Sequence, residues 1–186
     1  ENVTVRFQKA QVLGEMQKWE EAIECLKVCR TSYRKHKNKV GEAIVLRNVG
    51  HAYRELEIIE EAQLAYEKAL ELFDEVKDKE GLAWVTSDIG WLYWDQRDWT
   101  QAINLQQKAL SIFEKLDLTT ERAWILNNLA EAFRNAGLLE KAYQALVESV
   151  ELLINDSNSE EISKRYNDIG LIEAERENWS QAIEYY

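Results

Sequence analysis

Tryptophan, arginine and asparagine are the side chains of this sequence whose types and spacing could do chemistry. Trp84, Trp91 and Trp94 are spaced by seven and three residues, which places them on one face of a helix. Trp124 lies 40 residues after Trp84, in the following segment. Trp and Arg anchor protein interfaces more often than other residues do, and clustered exposed aromatic rings usually mark an interaction site. The pattern predicts recognition of a partner; burial of these tryptophans against one another is the alternative.

Residues suited to catalysis or metal binding are sparse. The two histidines, His36 and His51, have no neighbouring nucleophile pattern, and no Gly-rich phosphate loop is present. Cys25 and Cys29 are four residues apart, but a metal site would need further ligands, so we expect buried free thiols. We predict a protein that is not an enzyme, with no catalytic residues, no metal site and no cofactor.

The composition narrows the class of protein. The 186 residues include 34 acidic and 23 basic side chains, so the net charge of −11 disfavours nucleic acid and anionic membrane as partners. The absence of proline and the seven glycines argue against an all-β fold. No apolar run reaches the length of a membrane span, and no secretory signal is visible. The two cysteines suggest no disulfide framework, so we predict a cytoplasmic protein. Because the sequence lacks an initiator Met, we expect a fragment of a larger protein.

An internal repeat of 40 residues organises the whole sequence. One column of small residues is Ala22, Ala62, Ala102, Ala142 and Ala182. A second is Ala10, Gly50, Gly90, Ala130 and Gly170. A column of large residues is Trp19, Ile59, Trp99, Leu139 and Trp179, which we expect to pack in the core. Such periodicity indicates stacked repeats in which small residues mark helix crossings.

Each period carries two amphipathic helical patterns joined by a short break. In the second period these run over 43–55 and 60–76, and Gly41 and Gly81 are expected to end the preceding helices. Short breaks favour antiparallel helix neighbours. We predict one domain over 1–186 with about four and a half repeats. Their expected bounds are 3–42, 43–82, 83–122, 123–162 and an incomplete 163–186.

The segment Asn48-Val49-Gly50-x-x-Tyr53, with Ala62 and Ala69 behind it, resembles a tetratricopeptide repeat (TPR). The usual repeat has about 34 residues and often a closing Pro. The longer version here, with Asn127-Asn128-Leu129-Ala130, is similar to repeats of kinesin light chains, cell-polarity adaptors and bacterial regulators built on signal-transduction ATPases. The resemblance implies an all-α, right-handed TPR superhelix (an α-solenoid) of antiparallel helix pairs. It also implies a concave groove, lined by the first helix of each pair, that holds partner peptides.

Residues at four offsets of each first helix form the stripe expected to line that groove. With the asparagine column they give the predicted peptide-binding set: Arg47, Asn48, His51, Arg54, Trp84, Ser87, Trp91, Trp94, Trp124, Asn127, Asn128, Arg134 and Asn167. In similar repeats the Asn that corresponds to Asn48 and Asn128 reaches the backbone of an extended peptide. Asp88 and Asp168 depart from that residue type. Capping or hydrogen bonding between helices is the alternative role for the two asparagines.

The stripe is more basic than the whole chain. It carries Arg47, Arg54, Arg134 and Lys164 against Glu131. This contrast predicts a protein or peptide partner with acidic and apolar character. The neighbouring column of Glu55, Asp95, Asn135 and Glu175 would cancel the positive charge if it faces the same side.

These observations leave several functions open. The first is a scaffold for protein–protein interaction that binds a partner peptide or segment in the groove. The alternative is a regulatory or sensor module of a larger multidomain signalling or transcription-regulating protein. End-to-end self-association is a third prediction, because solenoid ends that lack a polar cap expose apolar surface.

Overall fold

The computed structural model describes residues 2–154 and 159–186, and every regular element in these ranges is an α-helix. In chain order the helices are α1 (Val3–Glu15), α2 (Trp19–Lys35), α3 (Lys39–Glu55), α4 (Ile59–Glu75), α5 (Lys79–Asp95), α6 (Trp99–Lys115), α7 (Thr119–Asn135), α8 (Leu139–Ile154), α9 (Ser159–Glu175) and α10 (Trp179–Tyr185). Odd-numbered helices are the first members of their pairs and even-numbered helices the second. The predicted all-α fold of antiparallel helix pairs is confirmed.

The helices fall into two compact units, Glu1–Leu92 and Tyr93–Tyr186. The first unit contains α1 to α4 and most of α5. The second contains the last residues of α5 and α6 to α10. Each unit is described by itself below.

The turns between helices repeat every 20 residues with one backbone conformation. The residue in the left-handed region is Gln17, Lys37, Glu57, Lys77, Arg97, Asp117, Gly137 or Glu177. The next residue closes the turn by donating back into the helix, as Asn38 N does to Tyr33 O at 2.9 Å. This 6→1 hydrogen bond is the Schellman ending of a helix. Among the described turns, Gly137 alone is the residue type that the left-handed region favours.

Gly41 and Gly81 do not end helices, so that expectation is wrong. Gly41 lies inside the first turn of α3, where its N–H donates to the N-cap side chain of Asn38 at 2.8 Å. A Cβ at Gly41 would lie 2.6 Å from the ring of Tyr33. A Cβ at Gly81 would likewise lie too close to the ring of Phe73. The two glycines therefore allow a ring of the preceding second helix to pack against the backbone, and α3 begins four residues before the pattern suggested.

The core of the first unit follows the columns of small and large residues. It is formed by Ala43, Leu46, Ala62, Tyr66, Ala69, Phe73, Val85 and Leu92. Ala62 and Ala69 are fully buried, and a Cβ at Gly50 would lie 2.7 Å from the Tyr66 ring. The small residues therefore lie at close contacts between helices, as their periodicity predicts.

The core of the second unit contains a buried carboxylate. Its apolar cluster is formed by Leu126, Leu129, Ala130, Phe133, Ala142, Ala145, Leu146, Val150, Ile169 and Ile172. Glu173, 1% exposed, occupies the position held by Leu13, Tyr53, Tyr93 and Phe133 in other repeats. Its two oxygens accept hydrogen bonds from Arg176 Nη1 at 2.8 Å and Asn178 Nδ2 at 2.6 Å. These bonds satisfy the buried charge.

The large column before the second helices is less buried than expected. Trp19 and Trp99 are half-buried, and Trp179 is 63% exposed. Trp19 lies edge-on to His51 on α3, with ring centroids 5.5 Å apart. Trp179 lies on α10, the last helix that the structure describes. The prediction that all three tryptophans are core residues is therefore wrong for Trp179.

Candidate functional site

Two arginine–tryptophan pairs form the first-helix face of the first unit. Arg47 and Arg54 on α3 are seven residues apart, as are Trp84 and Trp91 on α5. Arg47 Cζ lies 5.2 Å from the centre of the Trp84 ring, and Arg54 Cζ lies 5.6 Å from that of Trp91. A guanidinium at this distance is attracted by the ring face. The predicted binding residues of α3 and α5 therefore contact one another, and all four side chains are half-buried.

The arginines of this face also have carboxylate partners. Arg47 donates to both oxygens of Asp88, from Nε at 2.5 Å and from Nη2 at 3.3 Å. Arg54 Nη1 lies 3.5 Å from Glu55 Oε1. The positive charge that the stripe shows in sequence is therefore compensated within the first unit.

In the second unit, Trp124 is the most exposed of the predicted tryptophans. It projects from α7 with 46% of its surface accessible. Arg165 Cζ on α9 lies 5.8 Å from the centre of its ring, and Arg165 Nη2 donates to Glu161 Oε2 at 3.1 Å. Burial lowers the pKa of Arg165 from its ordinary value, and Glu161 and Asp168 act against that shift. Trp124 thus presents one large apolar side chain beside a buried cation.

A polar hollow of about 160 Å³ lies between α7 and α9. It is lined by Asn127, Ala130, Glu131, Arg134, Leu146, Asp168 and Ile172. Burial raises the pKa of Asp168, and Arg165 and Arg134 act against that shift. Arg134 donates to Glu175 Oε1 from Nε at 2.8 Å, and this hydrogen bond raises its pKa. An amide, a carboxylate and a guanidinium that converge on a small hollow can hydrogen-bond a polar side chain or a peptide group.

The first unit has two hollows on its first helices. One, of about 330 Å³, is lined by Ile44, Arg47, Phe73, Asp78, Glu80, Gly81 and Trp84. The other, of about 280 Å³, is lined by Ala10, Gln11, Gly14, Glu15, Trp19, Ala22, Leu26, Asn48, His51 and Ala52. Ile44 at the first is exposed. Both hollows combine apolar surface with carboxylates and could accept a side chain of a partner.

The predicted asparagines have different surroundings. Asn48 Nδ2 donates to Ile44 O of its own helix at 2.8 Å, which is the local role considered as an alternative. Asn127 lines the α7–α9 hollow, Asn128 is half-buried and Asn167 is exposed. Of the four, Asn48 and Asn127 each line a hollow where an amide could meet a bound segment.

Three further residues of the predicted set are buried or contact side chains of their own unit. Ser87 is buried at 2% exposure, so its hydroxyl does not reach the surface of α5. Trp94 is half-buried and lies edge-on to Trp99, with ring centroids 5.8 Å apart. His51 lies against Trp19, and burial lowers its pKa below 6.5. Ser87 and Trp94 shape the face more than they extend from it, whereas His51 is also exposed.

Sequence reasoning missed Arg165 and Asp168 as neighbours of Trp124 and Asn127. A signal was present, because Arg165 interrupts a column of buried aliphatic residues, Val45, Val85 and Ile125. A charged residue at a core position needs a partner, and the partner here is Glu161. A residue that breaks the pattern of its repeat column is therefore a better signal for these residues than the residue type alone.

The described residues contain little other chemistry. Within 2–154 and 159–186, no three His, Cys, Asp or Glu side chains are grouped so that they could hold a metal ion. Cys25 and Cys29 are free, and Cys29 is fully buried. No helix in the same ranges is long and apolar enough to cross a membrane.

Comparisons with known proteins agree with this geometry. The tetratricopeptide repeat family profile matches residues 3–75 and 42–115, and the profile of soluble NSF attachment protein, SNAP, matches residues 91–186. A search of curated proteins finds no match.

Solved structures share the fold at low sequence identity. The Signal Transduction ATPase with Numerous Domains (STAND) protein with a tetratricopeptide repeat sensor from Pyrococcus horikoshii superposes with a TM-score of 0.88 at 17% identity, over 99% of this chain and 28% of that one. Aspartyl phosphate phosphatase F from Bacillus subtilis superposes with a TM-score of 0.86 at 16% identity, over 97% of this chain and 47% of that one. The kinesin light chain TPR-like repeats of Podospora anserina superpose with a TM-score of 0.77 at 16% identity, over 98% of this chain and 90% of that one. At these identities the likeness shows the fold alone.

Proposed function

Because this chain belongs to the tetratricopeptide repeat family, whose profile matches more than half of it, we propose that it is a non-enzymatic protein-interaction module that binds a partner segment on its first helices. The repeats are a scaffold, and the side chains that the scaffold does not need decide what binds. These side chains lie on α3 and α5 in the first unit and on α7 and α9 in the second. A cytoplasmic setting is part of the proposal.

The observation that carries the proposal is the exposed ring of Trp124 on α7, which also carries the Asn127 that lines the polar hollow. A Trp held by Arg165 keeps a large apolar surface in place, and large rigid rings are frequent hot spots. An amide donor and acceptor in the adjoining hollow suits a peptide group. An extended partner segment fits this combination of one apolar anchor and one polar contact.

We expect a partner with acidic and apolar side chains, and the structure supports the apolar preference better than the acidic one. Trp124 and Ile44 offer exposed apolar surface. Arg47 and Arg134, in contrast, already donate to Asp88 and Glu175. An acidic partner would have to displace a carboxylate of the chain itself. An acidic preference therefore requires that these ion pairs open on binding.

A peptide-display selection tests the proposal. It is run on the wild type, on a Trp124→Ala/Asn127→Ala variant and on Trp179→Ala as a matched control, since Trp179 is also exposed but lies on a second helix. We expect peptides that enrich on the wild type and the control and are lost on the double variant, with unchanged circular dichroism. Peptides that bind all three proteins equally, or no enrichment on any, would contradict the proposal.

A regulatory module is the second candidate. The observation that favours it is that the chain corresponds to 28% of the STAND protein and 47% of phosphatase F, so the same fold serves as one part of larger chains. In that setting the first helices would hold a segment of the parent chain. Binding in trans to a fragment of the parent, weakened by Trp124→Ala, would support it.

End-to-end association is the remaining proposal from the sequence. Ile183 and Tyr186 on and after α10 are exposed apolar residues, as are Val5 and Val12 on α1. Contact between these ends of two copies would cover both surfaces. A monomer by light scattering at high concentration would contradict it, and loss of association in Ile183→Lys would support it.

A further inference from the structure

A second surface of the first unit has features that the repeats themselves do not require. Leu64 on α4 is 49% exposed and Val28 on α2 is 47% exposed. Their equivalents in the other repeats are polar or charged. For Leu64 these are Glu24, Asn104, Gln144 and Glu184, and for Val28 they are Lys68, Lys108 and Glu148. Because the same helices form elsewhere with polar residues at these positions, stability of the fold does not explain Leu64 or Val28.

Leu64 borders a hollow of about 180 Å³ between α2 and α4. The hollow is lined by Lys27, Arg30, Leu46, Val49, Tyr53, Glu61, Leu64, Ala65 and Lys68. Its floor consists of α3 residues, and Glu61, Leu64 and Lys68 follow one another along one face of α4. The rim of this surface belongs to the second helices, and none of the residues that line the hollow is among those assigned above to partner binding.

The rim of the hollow is basic in a chain of net charge −11. Three of its four charged residues are cations, Lys27, Arg30 and Lys68. Lys27 donates to Glu24 at 2.7 Å and Arg30 to Glu42 at 3.0 Å, whereas Lys68 on α4 is half-buried at the edge of the hollow. One repeat further on, the positions of Lys27, Leu64 and Lys68 are held by Glu67, Asn104 and Lys108, and two repeats further on by Gln107, Gln144 and Glu148. Neither of these sets keeps the apolar residue together with both lysines.

We propose that the α2–α4 surface is a second docking site, which takes an acidic amphipathic segment of a partner protein with an apolar side chain in the hollow and carboxylates beside Lys68 and Lys27. Apolar contact with Leu64 gives the segment its anchor. Lys68 selects the charge of the segment and speeds its approach, and Lys27 and Arg30 contribute when their ion pairs with Glu24 and Glu42 open. The site goes beyond the proposed function, because it lies on other helices and has its own charge preference.

The experiment is a selection from a displayed library of amphipathic helices, randomised on one face, against the full chain. We expect the enriched sequences to carry a bulky apolar residue flanked by Asp or Glu. Their affinity should fall at least about tenfold in Leu64→Gln and in Lys68→Glu, and should weaken as salt is raised, because the charges are partly exposed. Both substitutions install the kind of residue that an equivalent repeat position already carries, Gln144 and Glu148, so folding should be preserved.

Two control variants make the outcome specific. Lys108→Glu makes the same charge change at the same repeat position on α6, where Asn104 takes the place of Leu64, and it should change affinity less than about twofold. Trp124→Ala/Asn127→Ala should also leave binding intact, so failure of the first-helix site and failure of this one are told apart. The proposal would be overturned if the enriched sequences were basic, or if they bound Lys68→Glu and Lys108→Glu equally well. It would also be overturned if no sequence bound the wild type better than the Leu64→Gln variant.

Discussion

Arg47 and Asp88 form a two-pronged hydrogen bond between α3 and α5, 41 residues apart in the chain. The same separation recurs in the second unit, where Arg134 on α7 donates to Glu175 on α9. Successive first helices are thus joined by an arginine and a carboxylate on the face where the sequence predicts partner binding. The charge available to a partner is therefore set by these pairs and cannot be read from the arginines alone.

We predict that the Arg47–Asp88 pair stabilises the fold more than the Arg134–Glu175 pair does. The side chains of the first pair are 34% and 15% exposed, and those of the second are 40% and 39% exposed. Double-mutant cycles with Ala, read by denaturant unfolding, should give a coupling free energy of about 1–2 kcal/mol for the first pair and below about 1 kcal/mol for the second. Equal couplings would show that burial does not distinguish the pairs.

We predict that glycine is the more stable residue at the left-handed position of two turns, so that removing it from one and adding it to the other have opposite effects on stability. Gly137 has φ of 75°, and a Cβ there would meet no atom within 4 Å, so Gly137→Ala should lose about 1 kcal/mol of unfolding free energy through backbone strain alone. Glu57 has φ of 59°, so Glu57→Gly should gain about 0.5 kcal/mol, because relief of strain exceeds the added entropy of the unfolded chain. Thermal melting of both variants is the check. A stabilising Gly137→Ala would contradict this reading of the turns.

We predict that Glu173 stabilises the α9–α10 turn through its buried hydrogen bonds. Glu173→Gln keeps the shape and removes the charge that Arg176 and Asn178 donate to, so unfolding free energy should fall by about 1–3 kcal/mol. Glu140, the exposed second partner of Arg176, is the matched control. Glu140→Gln should cost less than about 0.5 kcal/mol. If both variants unfold at the same denaturant concentration, the buried carboxylate has no special role.

We predict that His51 titrates below pH 6.5 and that the Trp19 ring is the cause. Burial favours the neutral imidazole and lowers its pKa, and nearby charges modify this effect. Those charged neighbours are Glu55, Arg54, Asp88 and Arg47. Because the folded pKa is depressed, the unfolded chain binds more protons, so this contribution to stability is present above pH 6.5 and is lost as pH falls through the folded pKa.

An NMR titration of the His51 ring protons measures this pKa directly. Trp19→Ala removes the ring 5.5 Å away and should move the pKa back toward 6.5. An unchanged pKa in this variant would mean that other groups exclude water from the imidazole.

The repeat, the helix pairs and the small residues at helix contacts could be predicted from sequence because each depends on residue size at fixed intervals. The positions of the helix ends were predicted less accurately than the repeat. Lys37 and Glu57 occupy the left-handed turn position although neither residue type favours it, whereas Gly41 serves ring packing inside α3. Helix stacking overrides the local preference at these turns.

The candidate site was predictable in part. Periodicity correctly placed Trp84 and Trp124 on first helices. It did not predict that the two rings differ in exposure, since Arg47 covers the half-buried Trp84, whereas Trp124 remains 46% exposed. Cancellation of the stripe's positive charge by the neighbouring acidic column was left open, and Glu175 of that column accepts a hydrogen bond from Arg134. The role of Arg165 depends on its contact with Trp124 from the next first helix, a distance that periodicity alone does not give.

The measurement that tests the central claim most directly is a backbone amide NMR titration of the labelled chain with a peptide enriched in the first selection. The account predicts that amide shifts concentrate on α7 and α9 around Trp124, Asn127 and Asp168, and that the outer positions of α8, Gln144 and Glu148, do not move. Shifts centred on α8, or no saturable shifts on α7 and α9, would contradict the claim that the first helices hold the partner.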